Sequence, residues 1–141
     1  MRDIRFRGKN IITNKWVYGH YMEQPNDFEE EGGYFKPIGI GSFISDCNLL
    51  GRNLFAVDSE TIGQYTGLKD IYNKEIYEGD ILNVDKNYSG SYTPTYVLFY
   101  KGTFMVQVVH KMNVPFLLAD NVGVYEIIGN KYENAELLEE K

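Results

Sequence analysis

Residues 61–84 read Thr61-Ile-Gly-Gln-Tyr-Thr-Gly-Leu-Lys-Asp-Ile-Tyr-Asn-Lys-Glu-Ile-Tyr-Glu-Gly-Asp80 and continue as Ile81-Leu-Asn-Val84. The stretch is dense with turn residues and tyrosine. Gln64, Tyr65 and Thr66 suit a strand, which Gly67 ends. Residues 70–75 form a tight connection. Asn73 stands where that turn wants a left-handed residue, and Asn accepts a positive φ better than most side chains. Glu78-Gly79-Asp80 then leads into the apolar residues Ile81, Leu82 and Val84, as at the first strand of a small SH3-like barrel. Just upstream, Asp58-Ser-Glu-Thr61 predicts a single helical or 3-10 turn, with Asp58 accepting from an N–H two or three residues on.

Downstream, residues 88–94 form a polar loop. Residues 95–100 are strand-like, Lys101-Gly102 turns, and residues 103–109 are strand again. Phe104, Val106 and Val108 alternate with Met105, Gln107 and Val109, so one face is apolar. Leu117 and Leu118 add an apolar piece, and Tyr125 to Ile128 a last strand before Gly129. Several short strands in this span suit a small barrel, which removes open edges by closing on itself. Asn134 is placed to cap a short C-terminal helix with Leu137 and Leu138 on its docking face.

Upstream, residues 1–22 read as a hairpin. Ile4 and Phe6 alternate with Arg5 and Arg7, and Trp16 and Tyr18 with Val17 and Gly19, around turn residues at 8–10 and 13–15. Side chains of residues 1–15 carry a net of +4. Two readings stand side by side. In one, Arg5 and Arg7 face solvent opposite a buried Ile4 and Phe6, or pair with the carboxylates that follow. In the other, Arg2, Arg5, Arg7, Lys9 and Lys15 meet phosphates while Trp16 and Tyr18 stack on unpaired bases. Residues 23–33 hold Glu23, Asp27, Glu29, Glu30 and Glu31 together with Pro25, Gly32 and Gly33, the composition of an exposed acidic loop. Residues 34–57 read as short strands broken by glycine, proline and asparagine.

The formal net charge of −6 argues against broad non-specific binding to nucleic acid, which needs Lys and Arg. Cys47 is the single cysteine, so no intrachain disulfide forms and a reducing compartment is expected. The first residues lack the apolar run of a signal peptide, and no apolar stretch approaches the ~20 residues of a spanning helix. His20 and His110 lie far apart, so no zinc-type ligand set is spelled out. Cys47 sits in Asp-Cys-Asn-Leu-Leu, without the flanking cation that lowers a thiol pKa. No phosphate-loop, dinucleotide or nucleophile-elbow motif is present. The sequence thus points to no catalytic residue, metal or cofactor.

Four segments together resemble the YopX family of bacteriophage and prophage proteins: Ile4-Arg-Phe-Arg7, Trp16-Val-Tyr-Gly19, residues 61–84 and Ile128-Gly-Asn130. Gly63, Gln64, Tyr65, Thr66, Gly67, Leu68, Asp70, Tyr77, Gly79, Asp80, Gly129 and Asn130 carry the signature. Where such sequences usually read Asn-Gly, this chain has Tyr72-Asn73. The resemblance implies a mostly β protein of the bacterial cytoplasm, encoded by a phage or prophage. It implies a β-rich portion over 1–66, with the acidic loop at 23–33, and an SH3-like barrel with a short C-terminal helix over 67–141. It brings no enzymatic activity. Exposed strand edges and abundant tyrosine favour self-association. The expected role is a non-enzymatic interaction module for itself or another protein. The alternative is a nucleic-acid-associated accessory protein using Arg5, Arg7, Lys9, Trp16 and Tyr18.

Overall fold

The computed structural model describes residues 1–25, 27–39, 41–48, 51–84, 94–108, 116–117 and 123–139. These residues are mostly β, joined by turns, with 3-10 turns and no α-helix among them. The polar loop read at 88–94 falls, but for Pro94, outside the described residues, as does His110. The chain divides into two compact units. One is Ile4–Gly63, and the other is Gln64–Lys141 together with Met1–Asp3.

In the first unit, β1 (Phe6–Lys9) pairs with β2 (Trp16–Gln24), giving the hairpin predicted from alternation. Two strands, β3 (Asp27–Glu31) and β4 (Tyr34–Ile38), precede β5 (Gly41–Asn48) and β6 (Gly51–Val57). The order β6-β5-β2-β1 is antiparallel throughout. An isolated bridge between Asn10 and Val57 ties the end of β1 to the end of β6. Around it, Asp58 N donates to the Lys9 carbonyl at 2.9 Å and Ile11 N to the Ala56 carbonyl at 3.1 Å. Ile44, Ser45 and Val57 are buried here. Gly19 passes so close to β5 that a Cβ would lie 2.1 Å from the Ser45 carbonyl oxygen, so only glycine fits.

Two expectations fail in this unit. The acidic segment is not a loop, because Asp27–Glu31 is a strand in register with Tyr34–Ile38. Gly32 and Gly33, at φ 62° and 84°, make the two-residue turn with both central residues left-handed that suits strand twist. A strand also sends neighbouring carboxylates to opposite faces, and the register sets Glu29 across from Lys36. Secondly, Arg7 does not face solvent opposite a buried Ile4. Arg7 is 6% exposed and Ile4 47%.

In the second unit, β7 (Gly63–Lys69) pairs with β8 (Glu75–Tyr77), and the register shifts between Tyr65 and Lys69, around Gly67. Five further strands follow: β9 (Asp80–Val84), β10 (Thr95–Tyr100), β11 (Thr103–Val108), β12 (Phe116–Leu117) and β13 (Tyr125–Asn130). Their order is β12-β11-β10-β9-β13. Ile76, Leu82, Val97, Val106 and Tyr125 form the core, with Leu68, Phe104 and Ile127 packed against it. Each of the five buries roughly a full side chain, worth about 1.5–3 kcal/mol for an aliphatic residue. The sheet is open among the described residues, with β12 and β13 at its two ends, whereas a closed barrel was expected. The C-terminal helix is a single 3-10 turn, Ala135–Leu138. Asn134 does not cap it, because its side chain instead accepts from Asn130 N at 3.2 Å.

Candidate interaction surface

The signature residues of the second unit are occupied with building it. The Asp70 carboxylate accepts from Tyr72 N and Lys74 N at 2.9 Å on Oδ1, and from Ile127 N at 3.1 Å on Oδ2. It thereby closes the 70–74 turn and fastens it to β13. Asn73 has the predicted left-handed backbone, at φ 65°. Asp80, 2% exposed, accepts from Tyr77 N at 2.8 Å. Tyr65 and Tyr77 pack ring to ring at 5.4 Å, and the Tyr77 hydroxyl donates to Glu75 at 2.9 Å. Gln64 N donates to the Glu78 carboxylate, and its carbonyl accepts from Glu78 N. Thr66 Oγ1 donates to the Ile76 carbonyl and accepts from Leu68 N. Asn130 Oδ1 accepts from Tyr132 N and Glu133 N. A Cβ on Gly129 would meet Asn134 Oδ1 at 2.5 Å, and one on Gly79 would meet the Tyr132 ring at 2.9 Å. Gly63, the last residue of the first unit, is buried at the start of β7. Carboxylates and amides held this way position backbone.

The N-terminal set is brought together differently. Arg7 pairs with Tyr18 in register, and Lys9 with Trp16. Residues two apart on a strand share a face, so all four side chains lie on one face of the hairpin. The Arg7 guanidinium lies 4.5 Å from the Trp16 ring centre, and the Lys9 ammonium 5.7 Å. Both are within cation–π range, which explains how a buried arginine is tolerated. Arg5 precedes β1 and is half-buried, while Tyr18 is exposed. Trp16 is thus engaged by two cations of its own chain.

The β1–β2 turn presents what the sequence reading missed. Asn10 Oδ1 accepts from Ile12 N at 2.8 Å and Thr13 N at 3.2 Å. Asn10 N donates to the Lys15 carbonyl, and Asn14 N to the Asn10 carbonyl, each at 2.9 Å. Asn14 supplies the left-handed residue, at φ 57°. This polar frame fixes the turn and leaves Ile11 63% and Ile12 87% exposed. The signal was there to find. Two adjacent β-branched apolar residues interrupt a run of turn formers from Gly8 to Lys15.

Beside the turn lies a cleft of about 510 Å³, walled by Lys9, Ile11, Ser42, Phe43, Ala56 and Asp58 among others. Asp58 caps the 3-10 turn Ser59–Thr61 by accepting from Glu60 N, as predicted. Ser42 lies 3.5 Å from the Tyr21 hydroxyl, which donates to Glu23 at 2.6 Å. The bond to Glu23 raises the Tyr21 pKa above its usual value, and the Ser42 contact works in the opposite sense. Among the described residues, no three His, Cys, Asp or Glu side chains gather as metal ligands, and no helix is long and apolar enough to cross a membrane.

The model of the YopX protein family matches residues 5–139. A crystal structure of protein EF1440 from Enterococcus faecalis aligns over 99% of this chain and 100% of that one, with a TM-score of 0.53 and 24% identity, a likeness of fold. No curated protein matches the chain.

Proposed function

The chain belongs to the YopX family, and from that membership we propose a non-enzymatic protein-interaction module, encoded by a phage or prophage and acting in a bacterial cytoplasm. The observation that carries this reading is the β1–β2 turn. Its own hydrogen bonds hold it, and it still presents Ile11 and Ile12 to solvent beside a cleft. Contiguous exposed apolar patches rimmed by polar groups mark surfaces that meet another protein, and Ile11 and Ile12 with the cleft beside them are read as one. The order β12-β11-β10-β9-β13, a meander whose last strand returns to its first, supports the SH3-like reading of the second unit. Small barrels offer edges and grooves to extended peptides, although fold alone does not fix a partner.

Nucleic acid is the second reading, favoured by the gathering of Arg7, Lys9, Trp16 and Tyr18 on one face. Its test must spare Arg7, whose burial makes charge reversal a folding defect. Arg5→Glu with Lys15→Glu is the cleaner pair, since neither residue lines the cleft. Under the protein-interaction reading, filter binding to single-stranded and duplex DNA is weak, and the pair leaves partner capture intact. Tight, steeply salt-dependent binding that this pair abolishes would establish the nucleic-acid reading instead.

A further inference from the structure

We propose that the partner of this patch is a second copy of the chain, docked about a two-fold axis so that Ile12 of each copy enters the cleft of the other. The inference deepens the interaction reading above and rests on it. Its first support is the knob. Ile12 is 87% exposed, and the bonds that order its turn use Asn10, Thr13 and backbone atoms, not the isoleucine side chains. The apolar pair is therefore not what builds the turn.

The second support is adjacency. Ile11 forms part of the wall of the cleft, so knob and hollow belong to one surface. A two-fold contact presses one patch against itself and needs both complements on that patch. An unrelated partner requires only one of them.

The third support is charge. The cleft wall holds both signs, in Lys9 and Asp58. A wall with both signs can be its own complement, because a two-fold contact can set the Lys9 of each copy toward the Asp58 of the other.

Sedimentation velocity on the full chain over a range of concentrations tests this. A dimer is expected. Ile12→Asp should weaken it about thirtyfold or more, the scale of losing an interface hot spot. Ser59→Trp, which fills the cleft from an exposed rim position, should do the same. At concentrations low enough for the parent to be monomeric, neither should move the melting temperature. Mixing the two variants should partly restore the dimer, because one copy brings an intact cleft and the other an intact Ile12. A monomer at every concentration overturns the inference, and so does a dimer indifferent to both substitutions. A monomer that still captures some other protein through Ile11 and Ile12 overturns the inference but leaves the interaction reading standing.

Discussion

Replacing Asp70 with alanine should cost the protein about 3–4 kcal/mol. The side chain is 7% exposed and accepts three backbone N–H groups, from Tyr72, Lys74 and Ile127. A hydrogen bond to a charged group contributes about 1.5–3 kcal/mol, and a buried donor left unmatched pays its desolvation in full. The three are not equal. Tyr72 and Lys74 are exposed, so water takes over much of what their N–H groups lose, leaving about 0.5–1 kcal/mol each. Ile127 is packed against the core, and its N–H should account for about 2 kcal/mol. Asp70→Asn keeps one carbonyl acceptor and should cost about half as much. Urea unfolding followed by circular dichroism measures the loss, and amide exchange locates it at residues 72, 74 and 127. Against a usual total of about 5–15 kcal/mol, the effect is large enough to resolve. An alanine variant within about 1 kcal/mol of the parent, with Ile127 still protected, would refute the reasoning.

Further expectations follow from backbone and titration. Gly79→Ala should cost about 2–3 kcal/mol, whereas Gly102→Ala should cost about 1. Both sit at left-handed φ, but only at Gly79 does the new Cβ meet a ring, that of Tyr132, and urea midpoints measure the difference. Asn73→Gly should fall within about 0.5 kcal/mol of the parent and Asn73→Val should cost about 1–2, because φ 65° excludes a branched side chain. Tyr21 should titrate above the ordinary 10.0, and Glu23→Gln should bring it down, as read from ring-carbon shifts. Since the folded-state value is the higher one, the Tyr21–Glu23 contribution is present below the ordinary tyrosine pKa and is lost as pH rises through the folded value.

Local chemistry was legible where it was self-contained. Asn73 followed from the scarcity of residues that accept positive φ, and Asp58 from the reach of a short carboxylate to an N–H two residues on. Strand alternation identified the β1–β2 hairpin but could not say which face is buried. On the buried face Arg7 lies 4.5 Å from the Trp16 ring centre, a contact between strands that alternation does not announce. Gly32-Gly33 is a turn signal, but five nearby carboxylates give the same segment the composition of a loop. Asp70 shows the boundary most clearly. Its bonds to residues 72 and 74 are of the kind a turn motif announces, while its bond to Ile127 spans 57 positions and needs the fold. Asn134 failed for the same reason, since Asn130 competes for the side chain that would have capped the 3-10 turn. Arg5, Arg7, Lys9, Trp16 and Tyr18 read from the sequence as phosphate and base contacts, and the register sets four of them, all but Arg5, on one face of the hairpin. Ile11 and Ile12 are masked in the sequence by the turn residues that surround them.

The most direct test of the interaction role is capture by the tagged chain from bacterial lysate, with and without nuclease, comparing the parent with an Ile11→Asp, Ile12→Asp variant. Untagged protein, whether further copies of this chain or another polypeptide, should be retained after nuclease treatment and lost with the variant. Recovery of nucleic acid, with captured protein released by nuclease and the variant behaving as the parent, would contradict the account.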